Sequence, residues 1–541
     1  MGKIDVILVN GRIHEVIGEP VRSEAVAISG GKVVATGSTE QMEIMADRDT
    51  KRIDLEGRTV IPGLTDSHLH LLGYGLQLGR VDLAPVRSMD EFLARVAEVA
   101  GRLPVGRWVL GRGWDQDRLA EKRFPTRQDL DRVAPDHPVV LGRNCGHLYV
   151  ANSLALKLAG VDRDTAAPPG GQIDRDEQGE PTGVLRETAQ GLIHRVVPPP
   201  DRAEKLQALR LAVQRALSFG LTSIHPDDVG LAGGWEEAEG LYRQLIVEEE
   251  IPLRVHLAVS ISHLDELIEM GLATGAGDDW LRVGAAKIFA DGSLGGRTAA
   301  LSEPYSDDPS TAGIPIHPEE ELNQLVARAN EHGMQVQIHA IGDRAVEMSL
   351  NAIERALEAH PRVDHRHRLV HAQILREDLI KTMVRLKVLA DVQPKFISSD
   401  LHWAGQRVGR ERLTWSYCFR TMLEMGVGLA GGSDAPVEPL EPFLGIFAAV
   451  NRTDLDGQPK GGWTPGERVN INQAIRLFAE GGPYAAFEEH RRGALVPGRL
   501  ADLVVLDSDP WRVDPAQLKE IRPLLTMVGG RIGFRSGGWG V

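Results

Sequence analysis

Residues 63–75 read GLTDSHLHLLGYG, and the two histidines inside that stretch, His68 and His70, decide how the rest of the chain is read. Successive side chains of a strand point to opposite faces, so His68 and His70 share a direction and Leu69 points the other way, towards packing partners. Two neutral imidazoles aimed at one point can hold a metal; two polar residues at an ordinary strand end are the alternative. The pair alone does not choose between them, so the reading has to move outward.

Upstream, "IDVILVNGRIHEV", "SEAVAISGGKVVATG" and "KRIDLEGRTVIPG" are short β-branched runs broken by Asn-Gly, Gly-Gly and Glu-Gly turns. The far end repeats that texture in "GRLADLVVLDSDP" and "LLTMVGGRIGFRS". Each end is too small to bury a core alone, so residues 1–61 and 488–541 are expected to form one composite β-sandwich domain. Between them, "LTSIHP", "PLRVHLAVS", "LRVGAAKIFADG", "MQVQIHAIG", "HRLVHAQ", "VLADVQP" and "VGLAGGSDAP" read as strands, with amphipathic helical stretches such as "EELNQLVARANEHG" intervening. With the run ending in His68 and His70 they make eight. The expected fold is α/β, a (β/α)8 TIM-like barrel over residues 62–85 and 200–487. The gap after the first strand far exceeds an ordinary crossover. Residues 86–199 are therefore expected to form an inserted subdomain near the barrel mouth.

The totals bound the function. A chain of 541 residues is long enough for two or three domains. A formal charge of −15 argues against nucleic acid or an anionic membrane as partner. Only Cys145 and Cys418 occur, so no disulfide framework is implied. No signal peptide is visible and no run of about 18 apolar residues appears. A cytoplasmic enzyme acting on a small molecule is the expectation.

The strand ends carry the chemistry. The first ends in His68 and His70, the fourth reaches Lys287, the fifth ends with His339, the sixth with His371 and the eighth with Asp434. In a parallel barrel these ends open on one face, where catalytic groups of this architecture sit. Singly, each has a bland reading: a hydrogen-bonded core histidine, or a turn or helix-capping aspartate. Lys287 is the odd one, because a lysine between Ala and Phe inside a strand is costly unless paired or neutralised. One chemistry accounts for the set. A desolvated, neutral amine at Lys287 reacts with carbon dioxide, and the resulting carbamate bridges two divalent metals. His68, His70 and Asp434 would hold one, His339 and His371 the other. A hydroxide shared between the ions would be the nucleophile, and Asp434 the general base and then the general acid. Zinc suits a histidine-rich site; iron, manganese and cobalt are the alternatives.

"PGLTDSHLH", "VGAAKIFADGSLGGRTAAL", "QIHAIGDRAV", "LVHAQ" and "GGSDAPV", in that order, resemble the amidohydrolase superfamily. More narrowly they resemble its amidohydrolase-3 branch, which includes the N-substituted formamide deformylases. The resemblance runs over essentially the whole chain, including "GALVPGRLADLVVLD", "GHLYVANSLAL" and "PTGVLRETA". It implies the composite β-domain, the metal-dependent barrel, hydrolysis of a C–N amide-type bond (N-acyl or N-formyl amine favoured) and a homodimer. All six expected ligand positions are filled. It also matches His147 to a histidine near the substrate.

Further residues carry less. Asp66 lies on the face of the histidine pair, one step deeper, where it could orient an imidazole or serve as a buried structural carboxylate. Trp114, Asp291 and Arg297 are candidates to line the pocket, with structural roles as the alternative. Asp343 is expected to cap the helix that follows it. His137, His360, His365, His367, His402 and His490 are read as surface or packing residues. Two other functions compete. A deaminase on the same scaffold would be expected to carry a glutamate in an H-x-x-E arrangement after the fifth strand, where this chain has "HAIGDR". A non-catalytic regulatory relative would be expected to have lost ligands.

Overall fold

The computed structural model describes residues 3–143 and 147–539; Cys145 lies outside them. The chain divides into two compact units, one of Met1–Gly73 with Leu209–Val541 and one of Tyr74–Ala208.

Within the first unit, eight parallel strands follow one another around a nearly closed barrel: β1 (Leu64–Leu69), β2 (Leu221–Pro226), β3 (Arg254–Ser260), β4 (Leu281–Phe289), β5 (Val336–Ala340), β6 (Arg368–His371), β7 (Leu389–Val392) and β8 (Leu429–Gly431). All eight fall where the apolar runs placed them. Every neighbouring pair is parallel. Strands of a parallel barrel are covered on both faces and so read as near-continuous apolar runs, as Leu281–Phe289 does, buried along most of its length. The helices show the complementary pattern. Glu319–Glu331 buries Leu322, Val326 and Ala329, spaced three and four apart, and carries three glutamates in its first turn, where the helix dipole favours them.

The barrel closes at its carboxyl-terminal rim. Asp434 N–H donates to the His68 carbonyl and His70 N–H to the Ala435 carbonyl, both at 2.8 Å. The backbones approach so closely that a Cβ at Gly432 would stand 2.8 Å from the His68 nitrogen, which requires glycine there.

Two smaller sheets complete this unit. One pairs Val6–Val9, Ala25–Ser29, Lys32–Gly37 and Lys51–Asp54; the other joins Arg12–Ile13 and Thr59–Pro62 to Leu503–Leu506, Pro523–Val528 and Arg531–Arg535. Gly30 and Gly31, at φ of 56° and 75°, make the tight hairpin between two of these strands. A shared core including Leu8, Ile28, Val60, Leu503 and Met527 packs the sheets together and draws strands from both ends of the chain.

The second unit carries a six-stranded mixed sheet, including Val109–Trp114, Val139–Arg143, Leu148–Ala151 and Pro181–Glu187, around its own apolar core. Among the described residues, no helix is long and apolar enough to cross a membrane.

Candidate metal centre

The alternation of β1 carries His68 and His70 to one side, and β8 brings Asp434 up to them. The Asp434 Oδ1 lies 3.4 Å from His68 Nε2 and 3.3 Å from His70 Nε2. Together these side chains form a group able to hold a metal. Lys287, buried on β4, reaches into the same space with its Nζ 3.1 Å from His68 Nε2. Opposite, His371 Nε2 faces His339 Nδ1 at 3.0 Å, and the His68 and His371 rings stand 5.8 Å apart.

Two of these residues adopt backbone conformations that L-residues rarely enter: His371 has a φ of 76° and Asp434 a φ of 58°. Such strain costs about 1–3 kcal/mol per residue and persists only where surrounding structure imposes it, commonly at functional sites.

Hydrogen bonds behind the rings set their tautomers. His339 Nε2 lies 3.1 Å from the Gly292 carbonyl, which can only accept, so that nitrogen carries the proton and Nδ1 keeps its lone pair. His371 Nδ1 donates to Gln393 Oε1 at 2.7 Å; the Gln393 amide orients itself by donating to the Asp391 carbonyl, and Nε2 of His371 keeps its lone pair. His70 Nδ1 donates to the Asp227 carbonyl at 3.2 Å, leaving Nε2 towards Asp434. This is the outer-shell arrangement that orients metal-binding histidines.

Charge points the same way. Burial pushes the His339 imidazole well below its usual range, with His371 and Lys287 adding to it, and burial takes His371 down to about 4. Two neutral imidazoles then aim lone pairs at each other across 3.0 Å. That geometry is repulsive unless a cation lies between them, and the chemistry of this histidine-rich donor set fits a divalent metal. Burial also lowers His68 and Lys287; for the lysine, Asp227, Asp434 and Asp391 oppose the effect without cancelling it. Burial opposes charge on Asp434 and His70 too, but their mutual contact outweighs it, keeping the carboxylate below its usual range and the imidazole above.

The remaining predicted residues separate by role. Asp66 is buried, but it orients backbone: its Oδ1 accepts the N–H groups of Ser433 at 3.0 Å and His68 at 3.2 Å, and burial raises it to about 7. It ties β1 to the loop after β8. Asp291 accepts the backbone N–H groups of Ala300, Ile341 and Gly342, holding the loop after β4 against the end of β5, 3.5 Å from His339 Nε2. Arg297 pairs with Asp307 at 3.0 Å. Asp343 does not cap its helix by a side-chain bond; it accepts from Ser302 and Arg376. In the second unit, Trp114 is fully buried in the core with its indole N–H on the Leu141 carbonyl, a packing position. His147 is exposed and contacts Glu187 at 3.0 Å.

Asp227 and Gln393 are the functional residues that sequence reasoning missed. Both sit directly after a strand, but nothing in the sequence shows which imidazole each one meets. Asp227 directly follows β2 and directs His70; Gln393 directly follows β7 and directs His371.

Known proteins resemble this chain over most of its length. The model of the amidohydrolase family matches residues 51–534. The amidohydrolase YtcJ of Bacillus subtilis is 39% identical over 524 residues, covering 96% of this chain and 98% of YtcJ. An N-substituted formamide deformylase of Arthrobacter pascens is 28% identical over 99% of both chains. Among solved structures, an uncharacterized metal-dependent hydrolase from Pyrococcus furiosus superposes with a TM-score of 0.76 at 34% identity, over 94% of this chain and 100% of that one.

Proposed function

This chain belongs to the amidohydrolase family and is a hydrolase of carbon–nitrogen bonds other than peptide bonds; from that premise we propose that it cleaves an N-acyl or N-formyl amine at a two-metal centre. The observation that carries the reading is the pair of lone pairs on His339 and His371 facing each other beside the His68, His70, Asp434 and Lys287 group. The likeness to an N-substituted formamide deformylase supports the choice of bond.

His68, His70 and Asp434 would hold one ion, and His339 and His371 the other, with zinc favoured for a site so rich in imidazole. When bound, the ions supply a water acidified to neutral pH and a polarised carbonyl. The chain's own residues do the rest. Lys287, whose charged form burial disfavours, would add its neutral amine nitrogen to carbon dioxide and release one proton, giving a carbamate anion between the two groups of ligands. Asp434, ionised at neutral pH, accepts the proton of the attacking water. It returns that proton to the amine nitrogen as the C–N bond breaks, releasing a carboxylic acid and an amine. Asp227, Gln393 and the Gly292 carbonyl keep the three imidazoles from turning.

Metal analysis of the purified protein together with a panel of N-formyl, N-acyl and cyclic amides tests this. About two divalent ions per chain and release of free amine are expected. Ammonia release from an aromatic amine would establish a deaminase instead, and full activity in a metal-stripped protein would overturn the centre.

A further inference from the structure

Phe289 ends β4 two residues beyond Lys287, so strand alternation sends both side chains to the same face. Its ring centroid lies 4.9 Å from Lys287 Nζ and 5.3 Å from the His339 ring. It therefore stands against two of the side chains that build the centre. Yet the residue is 39% exposed, whereas Lys287 is 1% exposed. A lone exposed apolar residue needs no explanation on an ordinary surface. Here the exposed ring rises from the wall of a polar cluster, against Lys287 and His339 of the proposed centre. On the far side of the same histidine pair, Phe396 stacks its ring parallel to His371 at 5.9 Å and is buried, so one aromatic wall is covered by the protein and the other is left open.

We infer that Phe289 is a specificity-determining residue, an apolar wall that packs against an alkyl or aryl substituent next to the scissile C–N bond. The inference rests on the proposed cleavage of acyl amines and narrows it to substrates carrying such a group. An apolar substituent gains by covering exposed ring surface, and the gain grows with each methylene it buries. A small or polar amide leaves the ring in water and forgoes it.

The test compares wild type, Phe289→Ala and Phe289→Leu as metal-loaded full-length proteins on N-methylformamide, N-hexylformamide and N-methylheptanamide. The last two place the apolar chain on the amine and on the acyl side, and so identify which side meets the ring. The ratio of kcat/KM for one long substrate over N-methylformamide is expected to fall at least about tenfold in Phe289→Ala, through KM, and to be largely retained in Phe289→Leu. A ratio unchanged within about twofold for both long substrates overturns the inference. If Phe289→Ala does not fold, Phe289→Thr, which puts a β-branched strand former in place of the ring, takes its place with the same expectation. If wild type cleaves none of the three, the acyl-amine reading fails. Saturation-transfer NMR with N-hexylformamide then judges the wall by itself: binding lost in the Ala or Thr variant upholds it, and equal binding overturns it.

Discussion

His371 shows how much of this centre is decided one side chain at a time. Its left-handed backbone turns the ring towards His339, and Gln393 fixes which nitrogen faces the gap. His371→Ala removes one of two opposed donors, so bound metal is expected to fall from about two ions to about one per chain, with kcat down at least about a thousandfold. Elemental analysis and steady-state kinetics on the same preparation check both. Lys287→Ala is expected to lose activity to a similar extent and to regain part of it with added formate or acetate, which can occupy the space of a carbamate; activity unaffected by the substitution would remove Lys287 from the mechanism. Away from the centre, His14 lies flat on Trp511 with ring centroids 3.7 Å apart, and burial lowers it to about 4 from 6.5. The unfolded chain binds this proton below about pH 6.5 while the folded one does not until about pH 4, so stability falls as pH drops through that window, by up to about 3 kcal/mol. His14→Phe keeps the stacking without the proton. Its unfolding free energy is expected to decline less than that of wild type between pH 7 and pH 4.5.

At the scale of elements, the eight barrel strands were legible because parallel strands buried on both faces leave long apolar runs, each with polar residues at its end. The candidate ligands were legible for the same reason: histidine, lysine and aspartate are conspicuous where an apolar run stops. Asp227 and Gln393 were not, because aspartate and glutamine at a strand end are common turn residues and only the fold shows which imidazole each one holds. The helix-capping role expected of Asp343 did not hold, since it accepts from groups brought in by distant segments, while Asp66 took the structural one of its two expected roles. A further joint escaped the sequence reading altogether. Glu488, in the segment after the barrel, is buried against His256 of β3 at 3.0 Å, Arg282 of β4 at 3.4 Å, and Arg492. Burial opposes its charge, but Arg492 and His256 hold the carboxyl well below its ordinary 4.5. Its contribution is thus complete above about pH 4.5 and is lost as pH falls towards the folded value. Glu488→Gln leaves Arg492 buried without its partner and is expected to cost about 3–5 kcal/mol at pH 7. Denaturant unfolding should show that gap narrowing below pH 4.5.

For the molecule as a whole, the proposed centre, with His68, His70 and Asp434 on one ion and His339 and His371 on the other, would couple ligation to folding of the barrel, because these side chains come from β1, β5, β6 and the β8 loop. Removing metal with a chelator is expected to lower the unfolding midpoint, by the equivalent of about 2.7 kcal/mol when free metal had stood at about a hundred times its dissociation constant. A midpoint insensitive to chelation would mean that the donor set folds without the cation. The sequence by itself determined the barrel and put forward the candidate side chains at its strand ends, because side-chain alternation and apolar burial act over a few neighbouring residues. Only the tertiary structure decided which lone pairs face each other, which backbone groups fix the imidazole tautomers, and that Phe289 stays open beside Lys287. Those facts are distances between positions far apart in the chain, 219 residues in the case of Lys287 and His68, and local chemistry cannot fix a distance across that many bonds.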